Sequence, residues 1–207
     1  YANANGSEQV IPGVAVMFAF LSTQLVGTLF FREHAWGTWD RIRSSAATTL
    51  DIIVGKSLPL FVVQLVQFAM LLIAGRLIFG YHPNGSLIAL VVVVASFVAT
   101  LVAFGVMLVS VFDSMDLALV LGNLGGMVMA CLGGALTPVA GLPHWARTVG
   151  SATPAYWALD ALRRITLERA GLPDVLAPVA AIGAFAVGFT AIAVWRFSPA
   201  AVKIGST

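Results

Sequence analysis

The residues best suited to chemistry in this sequence lie in one charged stretch, residues 31–45. It holds three arginines and two acids within a dozen positions, although only 10% of the whole chain is charged. An apolar run ends directly before the stretch, and another begins near Ile52. A polar segment held between two apparent membrane spans lies at a membrane surface. The stretch is therefore a candidate contact site at that surface.

A second candidate, Gly55-Lys56-Ser57, looks like the end of a phosphate-binding loop. The full motif needs a glycine five residues before the Gly-Lys pair, and this chain has Leu50 there. It also needs a preceding strand, whereas a long apolar run follows here. We therefore expect no phosphate binding at this position, and any nucleotide hydrolysis has to come from elsewhere.

Metal and disulfide chemistry have little support in the sequence. His34, His82 and His144 fall in three different polar segments, and none has a partner at ligand spacing. The single cysteine, Cys131, lies inside an apolar run, so cysteines build neither a disulfide framework nor a metal cluster. We predict no metal site and no bound cofactor in this chain.

Catalysis inside the membrane is also disfavoured. No apolar run carries a histidine in its interior, and none has an acid at its centre. Asp113 and Asp116 lie at a helix boundary, where a solvated helix cap is the simpler interpretation. An ion-coupled carrier would place acids or bases at mid-membrane. The sequence predicts no catalytic residues, no enzyme activity of its own and no secondary transport.

The composition requires an integral membrane protein. Of the 207 residues, 59% are hydrophobic, and the mean hydropathy is +0.96. Soluble domains are about 45–50% apolar and about 25% charged. The apolar runs are too long for barrel strands and lack their alternation, so the fold class is an all-α helical bundle with several spans. A net charge of +2 is too small to argue for nucleic acid.

The helical bundle forms a single transmembrane domain over residues 1–207, with five spans. A membrane-crossing helix needs about 20 mostly apolar residues. The runs that meet this need are residues 10–31, 52–79, 86–112, 117–136 and 175–197. The polar start, residues 1–9, lacks the features of a signal peptide. We expect it to be the tail of a loop whose upstream part is missing.

Residues 137–174 differ from the rest of the chain, because four prolines interrupt them and they are too polar to span. Residues 155–170 have the pattern of an amphipathic helix. Its apolar side carries Tyr156, Leu159, Leu162, Ile165 and Thr166, and its other sides carry Asp160, Arg163, Arg164 and Glu168. Trp145, Tyr156 and Trp157 are typical of a membrane interface. The segment should lie on the interface or dip into it.

Small residues recur every four positions in the fourth span, at Gly122, Gly126, Ala130 and Gly134. This spacing places them on one helix face and lets another helix approach closely in lipid. That helix could belong to the same chain or to a second subunit. The basic residues do not determine the orientation of the chain in the membrane, since six lie on one side and five on the other.

The charged stretch resembles the Arg-Glu…Gly-Thr-x-Glu/Asp-Arg signature of ABC type-2 permeases, the membrane subunits of drug, lipid and polysaccharide exporters. The pattern here is Arg32-Glu33-x-x-x-Gly37-Thr38-Trp39-Asp40-Arg41-Ile42-x-x-Ser45. Three further motifs agree in order along the chain. They are Pro12-Gly13-x-x-x-Met17-Phe18, then Gly55-Lys56, and then Pro138-x-x-x-x-Pro143-x-Trp145 followed by Pro154-x-Tyr156-Trp157 and Leu162-Arg163. The family often has a proline where this chain has Ala46.

The resemblance implies a plasma (inner) membrane protein with six spans, of which five are visible here. It places the charged stretch in the cytoplasm and residues 137–174 outside as a pair of re-entrant helices. Residues 32–50 would then form a coupling helix that docks on a separate ABC ATP-binding subunit, where ATP and Mg are bound. The expected coupling residues are Arg32, Glu33, Trp36, Gly37, Thr38, Trp39, Asp40, Arg41 and Arg43. The tryptophans can fill an apolar groove in the partner, with the charges at its rim.

The resemblance also implies that two permease chains, identical or different, enclose a cargo cavity lined by spans one and four. The candidate lining residues are Phe18, Leu21, Gln24, Leu25, Asn123, Met127 and Met129. This apolar, methionine-bearing set suits hydrophobic or amphipathic drugs or lipids. Two alternatives stay open: a permease for lipid-linked polysaccharide, which should line its path with aromatic and polar groups, and a membrane scaffold without transport.

Overall fold

The computed structural model describes residues 6–28, 49–137, 141 and 143–196. The charged stretch at residues 31–45 lies outside these residues, and so do all nine predicted coupling residues. The described parts are helical and contain no strand. This confirms the all-α prediction.

The described secondary structure includes seven α-helices and one 3-10 turn. They are α1 (Gly6–Ser22), α2 (Thr49–Phe79), α3 (Leu87–Val111), α4 (Met115–Leu132), α5 (His144–Gly150), α6 (Pro154–Leu167), the turn Pro173–Val175, and α7 (Leu176–Arg196). After a turn at Thr23, residues 24–28 continue the path of α1 as helix. Five segments are long and apolar enough to cross a membrane: Val10–Thr28, Ile53–Phe79, Leu87–Val111, Met115–Leu132 and Pro173–Arg196.

The third span, α3, is the central helix of the bundle. Its start is capped by Ser86, whose Oγ accepts a hydrogen bond from the Ala89 amide at 3.4 Å. It carries no charge in its first or last turn, and fifteen of its residues are buried. It packs along α7 over most of its length and also contacts α2 and α6. An uncharged, valine-rich helix is stable here because neighbouring helices cover it on several sides.

Phenylalanine side chains from three helices meet at the middle of the core. The Phe97 ring on α3 lies edge-on to Phe20 of α1 at 5.8 Å and to Phe68 of α2 at 6.3 Å between centroids. Phe20 makes a further edge contact with Phe104 at 6.4 Å. Such pairs contribute about 0.5–1.5 kcal/mol each beyond the area they bury. They hold the first three spans together at this level.

The amphipathic helix dips into the bundle. α6 contacts α1, α3, α4 and α7. It buries Leu159, Leu162 and Ile165, together with the hydroxyl-bearing Thr166. The buried side is the apolar side predicted from the sequence. Thr153 caps the start of the helix, and its hydroxyl accepts from the Tyr156 amide at 3.4 Å.

The fourth span is shorter than predicted, because α4 ends at Leu132 and not near residue 136. Gly133 and Gly134 follow, and Gly134 has a φ of 94°, which an L side chain rarely adopts. A Cβ on Gly133 would lie 2.7 Å from the Tyr156 amide nitrogen. The glycine pair therefore ends the helix and lets the start of α6 approach closely.

Candidate functional site

The candidate site begins where the hydrogen-bonding pattern of the first span changes. Ser22 and Thr23 turn their hydroxyls back onto the helix, where both donate to the Ala19 carbonyl, at 2.9 and 3.3 Å. The Thr23 amide donates a hydrogen bond to the Phe20 carbonyl at 3.0 Å. This bond spans three residues, whereas α-helical bonds span four. Hydroxyl back-bonding of this kind bends helices, and a short tightened turn in mid-helix often marks a hinge.

Directly after this turn, the Gln24 side chain meets the fourth span. The Asn123 Nδ2 group donates to Gln24 Oε1 at 3.3 Å, across 99 positions of sequence. The other Asn123 polar atom, Oδ1, is buried and has no hydrogen-bond partner among the described residues. Two candidate lining residues from different spans are thus in contact. The pair retains one unused acceptor.

Exposed apolar side chains occur on the same two spans as the amide pair. Phe18 is 48% exposed on α1, and Met127 is 39% exposed on α4, with Leu25 beside Gln24 also exposed. Leu21 of the predicted set is half-buried. The space beneath Gln24, bordered by Gly105 and Gly122, is a packing void of only about 10 Å³. These side chains belong to the first and fourth spans.

Met129 lies apart from this face. It is partly buried and packs against both parts of the hydrophobic core. Residues six positions apart on a helix are about 240° apart around its axis, so Met129 and Asn123 point in different directions. Among the predicted lining residues, the structure joins Gln24 to Asn123 by a hydrogen bond and places Met129 in the core.

Three of the four small residues on the fourth span face helices of this chain. A Cβ on Gly126 would lie 2.7 Å from the Phe20 ring of α1, and one on Gly122 would lie 3.1 Å from Leu108 of α3. Ala130 is fully buried. Gly134 lies beyond the end of the helix, where its carbonyl accepts a hydrogen bond from Arg163 of α6. The small face serves packing inside this subunit.

Sequence reasoning missed two glutamines on the second span. Gln67 Nε2 donates to the Phe18 carbonyl at 3.5 Å, so α2 reaches the edge of the candidate face. Gln64, one turn earlier, is 1% exposed, and neither of its side-chain polar atoms has a hydrogen-bond partner in the described parts of the chain. Amides inside an apolar run are rare enough to have been a usable signal.

We next consider the other polar groups within the described ranges. Among the described residues, no group of three or more His, Cys, Asp or Glu side chains could hold a metal ion. Asp160 and Arg164 on α6, both partly buried, form an ion pair at 2.8 Å one helical turn apart. The arrangement on α1 and α4 can bind and orient an apolar molecule that has a hydrogen-bonding group.

Comparison with known proteins agrees with the motifs. A sequence profile of the ABC-2 type transporter family matches residues 1–167. The chain belongs to this family. The linearmycin resistance permease protein LnrN of Bacillus subtilis is 25% identical over 185 residues, which cover 89% of this chain and 48% of that protein. The probable multidrug ABC transporter permease YbhR of Escherichia coli K12 is 27% identical over 167 residues, which cover 80% of this chain and 45% of that protein.

This ABC-2 chain spans about half the length of the curated relatives it matches. No solved structure gives a significant match. Membership of the family, together with five apolar helices, makes the protein a multi-pass membrane protein. The family assignment agrees with the resemblance carried by the charged stretch.

Proposed function

We propose that this chain is the transmembrane subunit of an ABC exporter that moves hydrophobic or amphipathic compounds across the membrane. ATP hydrolysis on a partner ATP-binding subunit would drive the movement. The observation that carries the proposal is the Gln24–Asn123 pair on an otherwise apolar open face. The names of two relatives, a linearmycin resistance permease and a probable multidrug permease, support drug-like cargo.

The amide pair distinguishes this face from a surface that only meets lipid. A polar group in contact with hydrocarbon is costly, so intramembrane polar side chains usually face the bundle interior or a water-filled cavity. Gln24 is exposed in the single chain. Its surroundings in the membrane are therefore a cavity or a protein surface. Exposed Phe18 and Met127 supply the apolar contacts that an amphipathic molecule needs.

A second permease chain would supply the facing wall. In one chain, the Gln24–Asn123 face has nothing described opposite it. A cavity would form where a second chain places its corresponding face against this one. The exposed Gln24 amide would then hydrogen-bond a hydroxyl or amide group of the cargo. Only one residue of the lining set, Phe18, is aromatic, which favours lipid-like cargo over polysaccharide.

The charged stretch would transmit conformational changes of the ATP-binding subunit to the helices of the bundle. It lies between the first span and α2, and both of these border the candidate face. Closure of the ATP-binding subunits on residues 32–43 would move the two spans and change the opening of the face. The tightened turn at Thr23 is a natural place for α1 to bend during this movement.

The test is cargo-stimulated ATP turnover by the complete transporter in vesicles. We expect Asn123→Leu and Gln24→Leu to weaken the apparent affinity for an amphipathic dye, with basal ATP turnover retained. Ala184→Leu is the matched control, because Ala184 is an exposed position on α7, away from this face. Unchanged dye export and stimulation in both face variants would overturn the cargo assignment. A scaffold subunit predicts no stimulation in any variant.

A further inference from the structure

A groove on another side of the bundle lies between α2, α3 and α7. It has a volume of about 260 Å³, and apolar side chains line almost all of it. Its walls include Val54 and Leu58 of α2, Ala99 and Ala103 of α3, and Thr190 and Ala193 of α7. Every one of these residues belongs to a membrane-spanning segment. The groove therefore opens to the hydrocarbon of the bilayer.

Small side chains create the groove. Ala99 and Ala103 are four positions apart on α3, so they lie one above the other on the same helix face. They leave space between the two flanking helices, where Val54 and Leu58 stand about 60% exposed. An apolar space of this size does not hold water well, because water there finds too few polar partners. A hydrocarbon chain fills it without that loss.

One end of the groove has a positive charge near the membrane surface. Arg196 lies three positions beyond Ala193 in the last turn of α7, and residues at this spacing are neighbours on a helix surface. Arg196 makes no hydrogen bond or ion pair within the part of the chain that the structure describes. Asp51 and Lys56 lie near the start of α2, at the same end of the groove, and both make interactions of their own.

The membrane interface lies at this level. Trp195 is 82% exposed beside Arg196, and tryptophan is enriched where headgroups meet hydrocarbon. A second concave apolar surface, which includes Val194 and Trp195, adjoins the groove through Thr190. The apolar surface is thus continuous from the groove to the interfacial tryptophan. A cation, an interfacial ring and an apolar channel match the phosphate, glycerol and acyl chain of a phospholipid.

We propose that this groove binds one membrane phospholipid, with an acyl chain between α2 and α7 and its phosphate at Arg196. The site is separate from the Gln24–Asn123 face and does not depend on what the transporter exports. The bound lipid would fill the space between the span that follows the charged stretch and the last span. It would be a resident component of the subunit.

Native mass spectrometry of the complete protein, released from vesicles of phosphatidylcholine and phosphatidylglycerol, tests the proposal. We expect wild type to retain one phospholipid through detergent washing. Ala99→Phe fills the groove and should abolish retention. Ala184→Phe, at an exposed alanine outside the groove, should retain the lipid as wild type does. Arg196→Gln should weaken retention by about fivefold, the usual effect of one basic residue near a membrane surface.

Retention by Ala99→Phe equal to wild type would overturn the proposal. If that variant does not fold, Ala99→Leu decides the matter by the same criterion. A cysteine at position 99 in a Cys131→Ser background tests for a protein occupant. Efficient crosslinking of that cysteine to a second copy, or to another protein segment, would also overturn it.

Discussion

Tyr81 and Thr166 share a buried hydrogen bond of 2.8 Å between their hydroxyls, although they are 85 positions apart. Tyr81 lies in the turn after α2 and is fully buried, and Thr166 lies near the end of α6. The Ser86 amide also donates to the Ala170 carbonyl at 3.2 Å. The turn between α2 and α3 is thus tied to the helix that dips into the bundle.

Removing the Tyr81 hydroxyl should lower stability. Tyr81→Phe leaves the Thr166 hydroxyl with only its bond to the Leu162 carbonyl. We expect a loss of about 1 kcal/mol, the usual net value of one buried hydrogen bond. Thermal unfolding in detergent measures the loss. Tyr156→Phe is the control, because the Tyr156 hydroxyl makes no hydrogen bond among the described residues.

The same tyrosine should produce a pH dependence. Burial raises the pKa of Tyr81 above its ordinary value of 10.0, and this outweighs the lowering effect of the Thr166 hydrogen bond. The folded state therefore holds the proton more tightly than the unfolded state. This contribution is fully present below about pH 10 and is lost as the pH rises towards the folded pKa. Unfolding near pH 8 and near pH 11 should show a steeper decline in wild type than in Tyr81→Phe.

Gly126 and Gly125 should respond in opposite ways to alanine. Gly125→Ala has open space around it and gains helix propensity, so stability should stay equal or rise by up to about 1 kcal/mol. Gly126→Ala places a methyl 2.7 Å from the buried Phe20 ring and should lose about 1–3 kcal/mol. Melting temperatures of the two variants measure the difference. Equal temperatures would contradict the close approach of α4 to α1.

Gln64→Leu should stabilise the bundle. It replaces a buried amide that lacks partners among the described residues with an apolar side chain of similar size. An unsatisfied buried polar group costs about 1–3 kcal/mol, and most of this should be recovered. Gln67→Leu is the control, because Gln67 is less buried and bonded to the Phe18 carbonyl. A lower melting temperature for Gln64→Leu would indicate that a water or a partner segment satisfies the amide.

The proposed coupling segment can be tested by Trp36→Ala and Arg41→Ala. We expect both to keep the protein folded and to disconnect ATP turnover on the partner from cargo, because they remove an apolar anchor and a rim charge. Arg76→Ala is the matched control, since Arg76 lies at the opposite end of α2. Export and stimulated turnover at wild-type levels in both variants would contradict the assignment.

The orientation can be tested by cysteine labelling in a Cys131→Ser background. Ala152 and Leu172 are exposed between α4 and α7, and Ser114 lies in the turn at the opposite end of the bundle. An impermeant reagent added outside should label cysteines at 152 and 172 and spare one at 114. Labelling of position 114 alone would place the charged stretch outside the cell.

The helices that cross the membrane could be identified from the sequence alone. Hydrophobic length is a local property, so the runs that became α2 and α3 could be found without knowing their neighbours. The buried side of α6 was predictable for a similar reason, because an amphipathic pattern repeats within one helix. The family motifs were also local, and the comparisons confirmed the family.

Which helix faces pack against each other could be seen only in the folded bundle. The stripe of Gly122 and Gly126 could have served this chain or a second one, and it packs against Phe20 and Leu108 of this chain. The Gln24–Asn123 bond joins residues 99 positions apart, and Met129 turns into the core. Apolar surface is available on every side of a membrane helix. The composition of such a surface therefore does not specify which helix packs against it. The close fit of side chains that are distant in sequence specifies the partner.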